Sequence, residues 1–163
     1  MTERGPAGRL EGGVHVMPVR VYWEDTDGLG IVYYANYLRF IERARSDLLR
    51  FAGIDQQAMW RDQGIAFAVR DCHVEYLKPA RLDDDLEVHS RLTEVRGVTM
   101  LAAQTVRRGS SELARARLRL ACIDGAGRPR RLPPALARAL ATFSPSFTRS
   151  SAQSRLGESD HGQ

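Results

Sequence analysis

The sequence is poor in cysteine, nearly free of lysine and without any long apolar run, and each scarcity removes a class of protein. Cys72 and Cys122 cannot build a disulfide framework. Both sit in strand-like runs, where a reduced, buried thiol is the simpler state. No stretch approaches the length of a membrane-crossing helix, so stable membrane insertion is not expected. Residues 1–13 hold Thr, Glu, Arg and Gly but no apolar core, unlike a secretory signal, and a cytoplasmic location is expected. Lys78 is the only lysine; arginine carries the rest of a formal net charge of +4. These charges are spread out, with no basic run interleaved with aromatics, which argues against nucleic acid as a partner. They are available to phosphates or an anionic surface, and a general preference for arginine codons explains much of the excess.

Chemistry-bearing motifs are also few. No histidine has metal-ligand spacing with a second histidine, and Cys72-His73 is a pair without further ligands. His73-Val74-Glu75 lacks the downstream Pro-Cys-x-x-Cys of zinc deaminases. No Gly-x-Ser-x-Gly elbow is found, and Gly28-Leu29-Gly30 lacks the third glycine of a dinucleotide site. No metal and no cofactor are expected.

Hydrophobic residues at 43% and charged residues at 27% fit one globular domain, long enough to bury a sizeable core. That domain is expected over residues 14–142, after a flexible leader at 1–13 and before a disordered Ser/Gly/Arg/Gln-rich tail at 143–163.

Residues 19–53 read as strand, glycine loop and helix. Val19, Val21 and Trp23 alternate with Arg20, Tyr22 and Glu24, the period of a half-buried strand. Asp25, Thr26 and Asp27 end it, and Gly28 and Gly30 allow a sharp turn. Tyr37, Ile41, Ala44, Leu48 and Phe51 then share one helical face, with Gly53 as the stop. A carboxylate, Asp27, thus enters a loop opening onto a helix N-terminus, where unpaired amides and the positive dipole end gather. That grouping suits acyl chemistry, the carboxylate attacking or activating water while amides stabilise an oxyanion. The plainer reading is that the three residues only cap a turn and a helix.

Downstream, a short helical or irregular connection over residues 56–62 precedes four strands. The first, over residues 65–77, shifts phase between Val69 and Cys72, which predicts a bulge near Asp71. The last alternates Ala114, Ala116, Leu118 and Leu120 with Arg115, Arg117 and Arg119, one face buried and one wet. A short helix over residues 135–141 follows Pro133-Pro134. Strand, helix and four strands imply one apolar helix laid on an antiparallel sheet, an α+β layer arrangement.

The run Asp25-Thr26-Asp27-Gly28-Leu29-Gly30-Ile31-Val32-Tyr33-Tyr34-Ala35-Asn36, continued through Glu42-Arg43-Ala44-Arg45, resembles the signature of the tol-pal system-associated acyl-CoA thioesterases. These belong to the 4-hydroxybenzoyl-CoA thioesterase-like hotdog superfamily. Val74-Glu75-Tyr76-Leu77-Lys78-Pro79-Ala80-Arg81 and Arg96-Gly97-Val98-Thr99 are weaker matches, and the similarity covers residues 17–134. The resemblance implies a hotdog fold, one central helix wrapped by a five-stranded antiparallel sheet. It also implies hydrolysis of an acyl-CoA at a site between subunits of a homodimer or, better, a homotetramer.

By the same resemblance, Asp27 is the nucleophile or general base, and the backbone amide of Tyr34 polarises the thioester carbonyl. Position 34 departs from the group, which often carries His there as an extra proton-handling side chain. Arg96 and Arg130 match positions that contact coenzyme A phosphates, with Arg131 the substitute if the alignment slips; exposed turn charges are the alternative. Glu42 corresponds to a catalytic helix carboxylate of other hotdog enzymes, or it pairs with Arg39 or Arg45. A second function class is a catalytically weak scaffold binding acyl carrier protein or cell-envelope partners.

Overall fold

The computed structural model describes residues 7–144. Six strands, β1 (Arg9–Glu11), β2 (Val14–Arg20), β3 (Ile65–Tyr76), β4 (Asp85–Arg96), β5 (Thr99–Arg108) and β6 (Ser111–Asp124), form one sheet in the order β1-β2-β4-β5-β6-β3. Every neighbouring pair is antiparallel. Helices α1 (Asn36–Phe51), α2 (Gln56–Gln63) and α3 (Pro134–Ala141) complete the described chain. The expected five strands are therefore corrected to six, while α2 and α3 fall where a short connection over 56–62 and a short helix over 135–141 were expected beside the central helix.

The extra strand falls inside the expected leader. Arg9–Glu11 pairs with β2, and just upstream the amides of Ala7 and Gly8 donate to the Asp47 carboxylate at 2.9 Å each. His15 Nε2 shares that carboxylate at 2.8 Å, so a polar junction around the sealed His15 ties β2 and the N-terminal segment to α1. The first long strand also sits earlier than alternation suggested. It ends at Arg20, and the chain then makes a 3-10 turn at Trp23–Asp25, leaving Trp23 79% exposed. Alternation over five or six residues cannot distinguish a strand from an extended exit into a turn.

Helix α1 follows the 3.6-residue period closely. Tyr37, Ile41, Ala44 and Leu48 are buried as their spacing requires, joined by Phe40 and Leu49, while Phe51 is 37% exposed at the end. Phe40, Ile41 and Leu48 are essentially sealed, each contributing about 1.5–3 kcal/mol from burial alone. Gly53 at φ 78° terminates the helix. Its amide donates to the Arg50 carbonyl and that of Ile54 to the Leu49 carbonyl, both at 2.9 Å, a Schellman arrangement only a residue tolerant of left-handed φ closes cheaply.

The sheet curls around this helix. Register shifts between Val69 and Asp71, Leu92 and Glu94, and Val106 and Arg107 bend three strands, the first where the sequence phase slips. Leu86, Val88, Leu92, Met100, Ala102, Val106, Ala116, Leu118 and Leu120 line the concave face. Gln104 stands among them and is fully used. Its amide nitrogen donates to the Ile41 carbonyl (2.9 Å) and Ser90 Oγ (2.8 Å), and its oxygen accepts from Arg45 (3.1 Å). Burying that amide without partners would cost several kcal/mol, so the three bonds pin α1 in register on β4 and β5.

Residues 145–163, most of the expected disordered tail, lie outside the described residues, whereas Phe143 and Ser144 are buried, Phe143 in the core. Cys122 is buried, but Cys72 is exposed on the outermost strand, contrary to the expectation of two buried thiols. Among the described residues no helix is long and apolar enough to cross a membrane.

Candidate active site

Beyond β2 the chain makes the 3-10 turn and then a tight excursion from Thr26 to Val32, which pair with each other in an antiparallel bridge. Inside it the Asp27 amide donates to the Ile31 carbonyl (2.9 Å), and Gly30, at φ 73°, donates back to the Asp27 carbonyl (3.1 Å). Only a residue tolerant of left-handed φ turns the chain here, so the glycine requirement read from the sequence is met at Gly30.

The motif's two carboxylates differ in employment. Asp25 is buried and saturated: one oxygen accepts from Asn36 Nδ2 at 2.6 Å, the other from the Tyr22 amide at 2.8 Å, and its carbonyl from the Tyr33 amide at 2.9 Å. It is the bolt that holds the loop to the first turn of α1. Asp27 is half-buried, and one of its oxygens accepts from the Leu29 amide at 2.8 Å. Among the described residues its other oxygen receives no donor. All three residues cap the turn: Asp25, Thr26, whose hydroxyl donates to the Trp23 carbonyl, and Asp27 through one oxygen to the Leu29 amide. Asp27 retains a lone-pair face for chemistry.

The same loop leads into α1, whose N-cap is Ala35. No side chain caps this end through its backbone amides, and its first turn holds no acidic residue; the Asp25 carboxylate beside it is taken up by the Asn36 side chain and the Tyr22 amide. Among the described residues the Tyr34 and Ala35 amides find no acceptor. Tyr34 is 62% exposed, its ring tilted 57° against Tyr33 (ring centroids 4.9 Å apart) and edge-on to Tyr76 (6.2 Å). Asp27 and Tyr34 are thus brought to one loop, presenting a free carboxylate oxygen and a free amide.

A brace from the far side of the sheet supports the loop. The Val32 amide donates to the Ala80 carbonyl (2.8 Å), Ile31 bridges Arg81, and the Ala80 amide donates to the Tyr37 hydroxyl (3.0 Å). Asp84 organises the brace, accepting from the Arg81 amide (2.8 Å) and the Arg108 guanidinium (2.6 Å). Partial burial pushes the Asp84 carboxyl up, but those donors together hold it below its ordinary range. Burial raises the Tyr37 hydroxyl and that of Tyr76, so both stay protonated around neutrality.

The arginines lie elsewhere. Arg96 ends β4 at the opposite end of that strand from the loop, before a two-residue turn through Gly97. Residues 130–132 run alongside, the Leu132 amide donating to the Gly97 carbonyl at 2.9 Å. Arg96 and Arg131 line one shallow hollow of about 480 Å³ with Glu94, Val98 and Thr99. Arg130 points away and pairs with Asp124 through Nε and Nη2, each at 3.0 Å. Adjacent residues of an extended segment face opposite ways, so sequence spacing alone cannot choose between them. Glu42 pairs with the nearly sealed Arg45, whose guanidinium burial makes less basic than usual. That is the pairing reading of Glu42. Tyr76, Asn36 and Asp124 were not singled out as site residues, since their roles rest on partners distant in sequence or on no motif.

The thioesterase-like superfamily profile matches residues 21–140, most of the chain, from the 3-10 turn through α3. The chain belongs to the thioesterase-like superfamily. Among curated relatives, the acyl-CoA thioesterase YbgC of Haemophilus influenzae is 44% identical over 107 residues, covering 66% of this chain and 79% of the relative. The acyl-CoA thioester hydrolase YbgC of an Escherichia coli O6:H1 strain is 42% identical over 121 residues, covering 73% and 90%. Among solved structures, a probable thioesterase of Bartonella henselae superposes with a TM-score of 0.71 at 36% identity, covering 74% of this chain and 99% of that one. The hotdog thioesterase fold implied by the Asp27 motif is thereby established, and the resemblance to the tol-pal-associated group holds.

Proposed function

We propose that this thioesterase-superfamily protein hydrolyses acyl-CoA thioesters, releasing a carboxylic acid and free coenzyme A, with Asp27 and the Tyr34 amide as its working groups. The names of its relatives support the reaction class. One observation carries the assignment of residues: a half-buried carboxylate with one unoccupied oxygen shares a loop with an unbonded amide at an uncapped helix N-terminus.

In the general-base route Asp27 takes a proton from water while the hydroxide oxygen bonds to the thioester carbon. The carbonyl electrons move to oxygen, where the Tyr34 amide meets the developing charge, a contact worth roughly 3–4 kcal/mol of barrier. Collapse of the tetrahedral species breaks the carbon–sulfur bond, and the departing thiolate takes up the proton. In the nucleophilic route the Asp27 oxygen itself bonds to the carbon, and the carbon–sulfur bond breaks to release the coenzyme A thiolate. Water then opens the resulting anhydride, regenerating the Asp27 carboxylate, freeing the acid and supplying the proton the thiolate takes up. Both routes use the same two groups; after single-turnover hydrolysis in ¹⁸O-water, label in the Asp27 peptide, left by water attack at the Asp27 carboxyl carbon of the anhydride, marks the nucleophilic route.

The acting unit is a homodimer, or a homotetramer built from two of them. Two features support this. β3 is long, largely exposed and lies at the sheet edge, with backbone groups open to a second strand. Its Tyr76 end pairs near Ala114, on the loop side, and its Ile65 end pairs with Asp124, on the arginine side. Two copies paired antiparallel through β3 would therefore bring the Asp27 loop of one protomer toward the Arg96–Arg131 hollow of its partner. Arg96, with Arg131 in preference to Arg130, then contacts the coenzyme phosphates, where guanidinium suits bidentate binding.

Thiol release from short, long and aromatic acyl-CoAs, comparing wild type with Asp27→Asn, tests the reaction. A loss of roughly a hundredfold or more is expected for a principal catalytic group. Equal, negligible turnover by both folded proteins would overturn it, and adding an acyl–acyl carrier protein to the panel covers the scaffold alternative.

A further inference from the structure

The Tyr34 amide is useful only if it points where the oxyanion forms, and the loop that carries it has no regular secondary structure to aim it. Two peptide planes meet at Tyr34. In the trans Tyr33–Tyr34 peptide the N–H lies antiparallel to the Tyr33 carbonyl. That carbonyl accepts from the Asn36 amide at 2.8 Å, which sets the direction of the Tyr34 N–H. The next plane, between Tyr34 and Ala35, is free to swing about Tyr34 unless its own carbonyl is held. It is held by a side chain from another part of the sheet: the Tyr76 hydroxyl, 42 residues on, donates to the Tyr34 carbonyl oxygen at 2.9 Å.

Tyr76 is itself fixed. Its ring packs edge-on to Tyr34 (6.2 Å, 90°) and to Tyr37 (5.4 Å, 69°), and the Tyr37 hydroxyl takes the Ala80 amide. Its position at the end of β3 is set by pairing with Ala114 on β6. Among the described residues no other side chain bonds the backbone of Tyr34.

We infer that Tyr76 is a positioning residue for the hydrolysis: the Asn36–Tyr33 bond aims the Tyr34 N–H, and the Tyr76 hydroxyl fixes the following Tyr34–Ala35 plane, so the turn that carries the amide does not rotate away from the developing oxyanion. This rests on the reading of that amide as the oxyanion donor. The hydroxyl takes no proton and touches no reacting atom. Its effect appears only when negative charge develops on the carbonyl oxygen, so it acts on kcat and leaves ground-state binding alone.

The test uses the full-length protein with Tyr76→Phe, which keeps the ring on Tyr34 and Tyr37 and removes only the donor. The position is 47% exposed, so the variant should fold, and its thermal midpoint checks that. Two coenzyme A analogues read the site: a trifluoromethyl ketone, whose hydrate imitates the tetrahedral species, and a thioether with no carbonyl at the reacting position. The expected result is a loss of about tenfold or more in kcat, KM within about threefold, ketone affinity falling in parallel with kcat, and thioether affinity unchanged. A folded Tyr76→Phe within about twofold of wild type in kcat, with the preference for ketone over thioether intact, overturns the role of Tyr76 alone. A wild type that binds the ketone no better than the thioether overturns the oxyanion reading itself, and this inference with it. An equal loss of affinity for both analogues assigns Tyr76 to binding and also overturns it.

Discussion

If each site is shared between protomers, two inactive variants should repair one another. The first is Asp27→Asn; the second is the double variant Arg96→Ala, Arg131→Ala. Within one chain the two regions flank opposite ends of β4: beside the loop the Val21 amide donates to the Asp84 carbonyl and the Asp83 amide donates to the Val21 carbonyl, while Arg96 ends the strand. The eleven steps between the first and last of its twelve residues, at about 3.3 Å each, put these ends roughly 36 Å apart along the strand. Losing two charge-assisted contacts at about 1.5–3 kcal/mol each should lower kcat/KM on the order of a hundredfold or more. Asp27→Asn should lower it comparably. When equal amounts are unfolded together and refolded, random pairing makes half the dimers mixed. Each mixed dimer holds one intact site and one doubly damaged site, so about a quarter of wild-type kcat/KM should return. The assay is thiol release at low substrate concentration, with native mass spectrometry verifying that mixed dimers form. Verified mixed dimers with no recovery would refute the shared site, as would full activity in a protein that sediments as a monomer.

Three further outcomes follow from individual contacts. A Cβ added at Gly8 would lie 2.4 Å from His15 Nε2 and 2.8 Å from the Val16 carbonyl, so Gly8→Ala should detach the Asp47 junction. Calorimetry should show a loss of about 1–3 kcal/mol with catalysis retained at Asp27. Gln104→Leu removes the bond that Ser90 Oγ accepts and one of the two partners of the buried Arg45, leaving it Glu42; urea titration should give a loss of about 1–3 kcal/mol. Asp84, held below its ordinary range, binds fewer protons folded than unfolded at mildly acidic pH. Its stabilising share is therefore complete above the unfolded value near pH 3.9 and fades as pH falls through the lower folded value. Arg108→Gln should narrow that window, seen as a gap between the two thermal midpoints that closes on acidification.

Much of the scaffold could be read from spacing because local rules and tertiary packing agree there. The Tyr37–Ile41–Ala44–Leu48 stripe, the Gly53 stop and the phase slip at β3 each have a signature within a few residues. What the sequence concealed depends on partners far along the chain. β1 is too short to signal itself and is anchored by Asp47, some 40 residues away. Val21 and Trp23 alternate like strand residues, yet Asp25, caught between Tyr22 and Asn36, turns the chain there. For the candidate site, the motif pointed to the Asp27 loop, but not to the division between a saturated Asp25 and an open Asp27. Nor could it separate Arg130 from Arg131, which Asp124 does by capturing one of them.

The sheet order also bears on how a nascent chain acquires this shape. β3 takes its hydrogen bonds from β6, the last strand made, and β2 takes its inner ones from β4. When α1 leaves the ribosome its apolar stripe has only β1 and β2 nearby, and β3 emerges with no strand to join. The β4–β5–β6 meander, by contrast, is built of consecutive antiparallel neighbours and can close within itself. Synthesis therefore carries an exposed helix face and an unpaired twelve-residue strand until β6 appears. In that interval the chain depends on chaperones more than its modest length suggests, and stalling or truncation before β6 should yield aggregate rather than a smaller folded domain.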